Sequence, residues 1–102
     1  MTQEVFICGA ARTPMGGLQG AFAPLEAAEL GGVAIKAALD GAGVSDADEV
    51  LMGCVLPAGQ GQAPARQAAF LGGLGEEVPA TTLNKMCGSG MKAAMMAWDS
   101  LA

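Results

Sequence analysis

The chain has 102 residues, of which 52% are hydrophobic and only 15% are charged, and its formal net charge is −5. This length suits one small domain, and its few Lys and Arg residues are scattered, which disfavours nucleic-acid binding. No apolar stretch approaches the roughly 18 residues of a membrane span, and the start MTQEVFIC lacks the basic region of a signal peptide, so we expect a cytoplasmic protein.

The cysteines stand at positions 8, 54 and 87, and the chain has no histidine. An odd count without a C-x-x-C pair disfavours both a disulfide framework and a zinc site. The scarcity of charged residues, against roughly 25% in an average domain, is a separate signal. It predicts that part of the apolar surface contacts a second domain, a partner chain or the remainder of a longer protein.

The first predicted element is a strand from Val5 to Cys8, a short apolar run that is followed by glycine. Residues 15–24 are rich in glycine and predict a loop. Because Cys8 and Cys54 both lie in strand-like apolar runs, we expect both to be core residues.

The first predicted helix begins near Leu25, where apolar residues start to recur at steps of three and four. Gly41 and Gly43 are expected to end it. Gly31 and Gly32 each cost such a helix about 1 kcal/mol relative to alanine. Their expected use is close approach to a neighbouring element.

The remaining elements alternate between strands and helices. Val50–Leu56 is a continuous apolar run without alternation, which predicts a strand covered on both faces in a parallel sheet. Pro64 suits the first turn of a second helix, over Ala65–Leu71. Thr81–Met86 predicts a third strand and Gly90–Ala102 a third helix. The order β-α-β-α-β-α predicts a layered, parallel α/β fold.

The last predicted helix is apolar nearly all round, which is typical of a buried helix. Met91 and Met95 lie on its apolar stripe and are expected to fill the core. It reaches Ala102 without a Gly, Asn or Pro to close it. We therefore expect residues 1–102 to be part of a longer protein.

Cys87 lies between the third strand and the third helix, in the segment NKMCGSGMKAAMM. At a helix N-terminus, unpaired N–H groups and the helix dipole favour a thiolate over a thiol. Gly88 and Gly90 leave the sulfur uncrowded, and a backbone N–H at this turn could hold an oxyanion. The pattern thus fits a nucleophile that forms a thioester, although a small buried hydrophobe at a tight turn explains it equally well.

An alternative function uses the same segment. GSGMKA at 88–93 fits the G-x-G-x-x-A dinucleotide fingerprint and lies after a strand at a helix start. This reading predicts a binding module without covalent chemistry. The fingerprint usually follows the first strand of its domain, whereas here it follows the third.

The segment LNKMCGSGMKA resembles the nucleophile segment of the thiolase family. VFICGAARTPMGG near the start and VLMGCVLPAGQGQAPARQAA in the middle agree with that family in the expected order. The Lys-Met-Cys-Gly-Ser-Gly order is most similar to the acetyl-CoA acetyltransferase branch. Ala94 departs from the pattern, where a larger aliphatic residue is usual.

The resemblance implies the first part of the N-terminal domain of a layered αβαβα fold, with residues 1–102 supplying only the nucleophile. By this resemblance, Cys87 accepts an acetyl group from acetyl-CoA as a thioester, and a second acetyl-CoA then attacks it to give acetoacetyl-CoA and CoA, or the reverse. Coenzyme A thioesters are substrates, and no separate cofactor is implied. The full-length protein is expected to be a dimer or tetramer, with no nucleic-acid or membrane partner.

The family also needs a catalytic histidine and a second cysteine from later in the chain, and neither Cys8 nor Cys54 matches that cysteine. We therefore expect the 102 residues alone to have little or no turnover. The basic residues near the motifs carry no catalytic prediction. Arg12 and Arg66 are expected to fix a loop or helix start, and Lys85 and Lys92 either face solvent or help stabilise the thiolate.

Overall fold

The computed structural model describes residues 3–102. Within them the chain forms α1 (Ala27–Ala42), β1 (Val50–Gly53), α2 (Pro64–Leu71), β2 (Ala80–Leu83) and α3 (Ser89–Leu101). β1 and β2 pair in parallel, with Val50 opposite Ala80 and Gly53 opposite Leu83. The predicted α/β class is confirmed. No helix in this part of the chain is long and apolar enough to cross a bilayer.

The first predicted strand, Val5–Cys8, is wrong. The segment pairs with neither β1 nor β2, Phe6 and Ile7 are 72% and 92% exposed, and Cys8 is exposed rather than part of the core. An apolar run forms a strand only where a neighbouring strand bonds its backbone and a surface covers its side chains. Within residues 3–102 no neighbouring strand pairs with Val5–Cys8 and no surface covers Phe6 and Ile7, so the segment does not form a strand.

Helix α1 begins and ends at local signals in the sequence. A capping box joins Glu26 and Glu29, in which the Glu26 N–H donates to the Glu29 carboxylate at 2.6 Å. At the other end Gly43 adopts a left-handed conformation, with φ 73°, and its N–H donates to the Asp40 carbonyl at 3.1 Å. Glycine adopts this conformation without the steric cost that a Cβ brings, so the predicted end at Gly43 is confirmed, whereas Gly41 lies inside the helix.

The paired glycines of α1 let it lie directly on α2. A Cβ built on Gly32 would come within 2.6 Å of the Leu71 Cβ, and one built on Gly31 within 3.0 Å of the Ala68 Cβ. Real Cβ atoms essentially never approach as closely as 2.6 Å. The expected use of these glycines for close approach is confirmed.

Helix α2 starts at Pro64 as predicted, but its cap comes from another element. Its N-cap residue, Ala63, makes no side-chain cap hydrogen bond and has φ 50°. Instead the Ala65 N–H donates to the Thr82 hydroxyl of β2 at 2.9 Å. This bond satisfies one of the orphan donors of the first helical turn and joins α2 to the sheet.

The core is built from small and medium side chains. Val50, Ala69, Leu74 and Val78 form one buried cluster, and four further alanines, on α1, α2 and α3, are also buried (Ala28, Ala65, Ala68 and Ala93). Small side chains allow α1, α2 and the sheet to approach closely. This close packing fixes the positions of the ends of β1 and β2 relative to the helices.

The prediction that α3 is a buried helix is wrong for the part of the chain that is described. Met91 is 74% exposed, Met95 54% and Trp98 47%. Helix α3 packs against β1, and its buried residues are Ser89 and Ala93. One face rests on the strand and the other apolar residues face outward, so the two methionines do not fill this core. The predicted contact of this apolar surface with another part or partner stays a prediction.

Candidate active site

Cys87 lies in the turn that joins the end of β2 to the start of α3, as the sequence predicted. β2 ends at Leu83 and α3 begins at Ser89, and Cys87 is exposed. Parallel strands end at one edge of their sheet, where connecting turns are free to meet ligands. Within the described residues Cys87 is therefore not the small buried hydrophobe that the sequence left as an alternative.

The residue before the cysteine has an unusual backbone. Met86 has φ 47°, a left-handed conformation that costs a residue with a Cβ roughly 1–2 kcal/mol. Its side chain is 66% exposed, so hydrophobic burial of the methionine does not hold it there. The surrounding hydrogen bonds must offset the strain.

Two side chains bond the backbone of Met86 from opposite sides. The Met86 N–H donates to the Asn84 side-chain oxygen at 2.8 Å, an Asx turn. The Met86 carbonyl accepts from the Ser89 hydroxyl at 2.6 Å and from the Ser89 N–H at 3.1 Å. Both backbone polar groups of the strained residue Met86 are thus satisfied within the turn.

Ser89 and Asn84 tie this turn to its surroundings. The Ser89 hydroxyl also accepts from the Lys85 N–H at 2.8 Å, and Ser89 is the one buried polar residue within residues 3–102, at 5% exposure. The Asn84 amide donates to the Val55 carbonyl, beyond the end of β1, at 3.3 Å. The turn around Cys87 is therefore fixed to α3 on one side and to the β1 loop on the other.

The start of α3 leaves backbone donors free. Gly88 is the N-cap and provides no side-chain cap, and the first helical bond runs from the Lys92 N–H to the Gly88 carbonyl at 2.9 Å. The N–H groups of Cys87, Gly90 and Met91 have no hydrogen-bond acceptor among the described residues. Such free donors, together with the helix dipole, favour an anion. The turn thus combines an exposed thiol with a place for negative charge.

Asn84, Met86 and Ser89 are the residues that sequence reasoning missed as parts of the site. Asn84 could have been found from the sequence, because in an Asx turn the asparagine side chain accepts a hydrogen bond from the N–H two residues later. The left-handed φ of Met86 had no such signal, since methionine gives no hint of it.

The other two cysteines differ from Cys87 in their surroundings. Cys54 follows β1 directly and is partly buried, and its sulfur lies 3.8 Å from the Gln60 side-chain oxygen. A cavity of about 60 Å³ between α1, β1 and α2 includes Cys54 but not Cys87 in its lining. Cys8 lies in the unpaired N-terminal segment. The structure does not bring either of them into the turn.

The expectation for the two arginines holds for Arg66 and not for Arg12, whose exposed side chain makes no hydrogen bond or ion pair among the described residues. Arg66 donates to the carbonyls of Val78 and Glu76 at 2.6 and 2.5 Å, and its guanidinium lies 4.6 Å from the centre of the Phe70 ring. The expectation that it fixes a loop to a helix is confirmed. The Lys85 and Arg12 side chains are exposed and Lys92 is partly buried. In the part of the chain that is described, no three His, Cys, Asp or Glu side chains group as a metal site would need.

Residues 5–102 match the family described as Thiolase, N-terminal domain. The chain is 54% identical over 100 residues to the mitochondrial acetyl-CoA acetyltransferase of Xenopus tropicalis, covering 96% of this chain and 24% of that protein. It is also 54% identical over 100 residues to the acetyl-CoA acetyltransferase of Cupriavidus necator, with 25% of that protein covered.

A solved structure of another acetyl-CoA acetyltransferase has the same fold over the matched residues. The acetyl-CoA acetyltransferase of Syntrophomonas wolfei superimposes with a TM-score of 0.85 at 34% identity, over 92% of this chain and 24% of that one. The chain therefore spans about a quarter of the length of the relatives it matches.

Proposed function

The chain belongs to the thiolase family, and on that premise we propose that it supplies the nucleophile of an acetyl-CoA acetyltransferase, with Cys87 as the acyl acceptor. The observation that carries the proposal is the position of Cys87: an exposed thiol directly before a helix whose first N–H groups are free. The names of the relatives support acetyl-CoA as the substrate.

The first step transfers the acetyl group to the enzyme. The Cys87 thiolate attacks the carbonyl carbon of acetyl-CoA, a new bond forms between that carbon and the Cys87 sulfur, and the bond to the CoA sulfur breaks. CoA leaves as a thiolate and takes up a proton. The oxyanion that develops on the carbonyl oxygen is stabilised by backbone donors at the turn, where the Cys87 N–H is free.

The second step makes the carbon–carbon bond. A second acetyl-CoA loses a proton from its methyl carbon, and the carbanion attacks the thioester on Cys87. The product is acetoacetyl-CoA, and the Cys87 thiolate is regenerated; thiolysis runs the same steps in reverse. The family resemblance implies a catalytic histidine and a second cysteine from later in the chain, and the 102 residues contain no histidine, so we assign removal of the proton to the rest of the active enzyme.

Acyl transfer to the chain tests the first step directly. The protein is incubated with acetyl-CoA, digested under acidic conditions and mapped by mass spectrometry for one added acetyl group on the peptide that contains Cys87. Cys87→Ser should abolish this adduct. Cys8→Ser is the matched control, because Cys8 is also exposed, and it should leave the adduct unchanged. Equal acetylation of Cys8 and Cys87 would remove the support for a dedicated nucleophile.

The dinucleotide-binding alternative makes a different prediction for the same turn. A binding module built on GSGMKA has no need of a reactive thiol, so Cys87 would react with iodoacetamide no faster than Cys8. The proposed nucleophile should be alkylated much faster than Cys8 and Cys54 near neutral pH. Relative rates from peptide mapping of a single sample decide between the two functions.

Assembly and location belong to the proposal as well. A dimer or tetramer of the complete enzyme, with CoA and acetyl-CoA or acetoacetyl-CoA as its small-molecule partners, is consistent with the apolar residues that α3 exposes. The Xenopus tropicalis relative is named as mitochondrial, so the cytoplasmic location expected from the sequence stays a prediction.

A further inference from the structure

We propose that Ser89 is a positioning residue for the nucleophile: its hydroxyl holds Met86 in the left-handed conformation and thereby fixes where Cys87 points. This inference rests on the proposed function of Cys87 and adds to it a residue two positions along the chain. Neither the thiol nor a substrate needs to touch Ser89. Its action is on the backbone that carries the thiol.

The hydrogen bonds of Ser89 are arranged around the turn rather than along the helix. Its hydroxyl accepts from the Lys85 N–H at 2.8 Å and donates to the Met86 carbonyl at 2.6 Å. One buried side chain thus bonds the peptide group that precedes Lys85 and the peptide group that follows Met86, and so spans both residues before Cys87. A capping serine instead accepts from N–H groups inside its own helix, which Ser89 does not do.

The burial of Ser89 makes these bonds selective for a single geometry. At 5% exposure, little water can reach the hydroxyl to replace a lost partner, and an unsatisfied buried polar group is costly. Gly53 lies against the Ser89 Cβ, where a Cβ on residue 53 would come within 2.6 Å. The contact with Gly53 therefore fixes the position of the Ser89 side chain, and the Ser89 hydroxyl in turn holds the strained Met86 through its carbonyl.

Asn84 forms the second arm of the same clamp. It accepts from the Met86 N–H at 2.8 Å and is exposed, so its bond is open to competition from water. Release of Met86 to a relaxed conformation would rotate the following peptide unit and move Cys87 relative to the free N–H groups of α3. Since Cys87 is already exposed, such a release can add little access and instead changes the position of the sulfur relative to those donors.

The test is a double-mutant cycle between positions 89 and 86 in the full chain. Glycine adopts left-handed conformations freely, so Met86→Gly removes the need for a clamp. The measured quantity is the rate of iodoacetamide alkylation at Cys87 relative to Cys8 in the same sample. Ser89→Ala should lower this ratio by about tenfold in the Met86 background, and by less than about twofold when Gly stands at 86. Ser100→Ala, on the exposed part of α3, should change nothing.

A role for Ser89 in packing alone predicts another result. The loss would then be the same in both backgrounds, because the two changes would add, and that outcome overturns the proposal. If far-UV circular dichroism shows that Ser89→Ala does not fold, Asn84→Ala at the exposed arm is put through the same cycle and decides. Acetylation of the unmodified chain is measured separately. If the effect of Ser89→Ala depends on the residue at 86 but the chain is not acetylated, the positioning role of Ser89 is supported and only the proposed acyl transfer is contradicted.

Discussion

Gly53, the last residue of β1, lies directly against Ser89, the first residue of α3. A Cβ at position 53 would come within 2.6 Å of the Ser89 Cβ and within 2.8 Å of its carbonyl carbon. The strand end and the helix start are therefore in backbone contact, and the helix cannot approach β1 more closely. This contact fixes the distance between the N-terminus of α3 and the sheet, and therefore also the position of Cys87, which lies two residues before the helix.

Gly53→Ala should displace the start of α3. The new methyl group meets backbone atoms of Ser89 and Gly90, which cannot move aside as a flexible side chain would, so we expect a loss of about 1–3 kcal/mol in the free energy of unfolding. Urea denaturation measures it. Gly41→Ala is the control, since nothing lies within 4 Å of a Cβ there and alanine in a helix should stabilise by up to about 1 kcal/mol. Equal midpoints for both variants would contradict the close contact.

Thr82→Val tests whether β2 caps α2. The valine keeps the shape of threonine but leaves the Ala65 N–H without its acceptor, so the free energy of unfolding should fall by about 1 kcal/mol. Thr81→Val is its matched control on the same strand, because Thr81 is exposed and points to the other face. A thermal or urea midpoint for Thr82→Val that equals that of Thr81→Val would show that water replaces the bond at no cost.

Arg66→Lys should destabilise the loop that leads into β2. Lysine keeps the charge but cannot span the carbonyls of Val78 and Glu76 as the guanidinium does, and we expect a loss of about 1–2 kcal/mol. Lys36→Met serves for comparison: it removes the Lys36–Asp40 ion pair, whose side chains are both 61% exposed, and should cost no more than about 0.5 kcal/mol. The reverse order of the two losses in urea unfolding would argue against the loop-fixing role of Arg66.

The 102-residue chain is expected to accept acyl groups without sustaining turnover. It has no histidine, and neither Cys8 nor Cys54 lies in the turn around Cys87, so these residues supply neither the histidine nor the second cysteine that the resemblance implies. Incubation with acetoacetyl-CoA and CoA, followed by loss of the acetoacetyl-CoA absorbance, should give no more than one equivalent per Cys87, with Cys87→Ser as the blank. Continued multiple-turnover cleavage by the 102 residues would show that the chain carries its own base.

Most of the local structure was readable from the sequence. The glycines at 31, 32 and 43 and the proline at 64 act through short-range sterics, and the structure confirms the features they predicted. The apolar run from Val50 does form a strand, but the strand ends at Gly53 rather than at the predicted Leu56, which is 78% exposed. Val5–Cys8 failed because a strand depends on a neighbour that the same residues do not encode. The burial of α3 failed for the same reason: an apolar stripe shows that a helix can be covered, not that a surface is present to cover it.

The sequence by itself determined the chemistry of the candidate site: a thiol between a strand and a glycine-rich helix start, within the residues that match the thiolase N-terminal domain. Only the tertiary structure decided how that thiol is presented. The left-handed Met86, the buried Ser89 and the contact with Gly53 join residues whose relation depends on where β1, β2 and α3 meet. Hydrogen bonds of this kind have strict geometry, and that geometry exists only once the elements have packed.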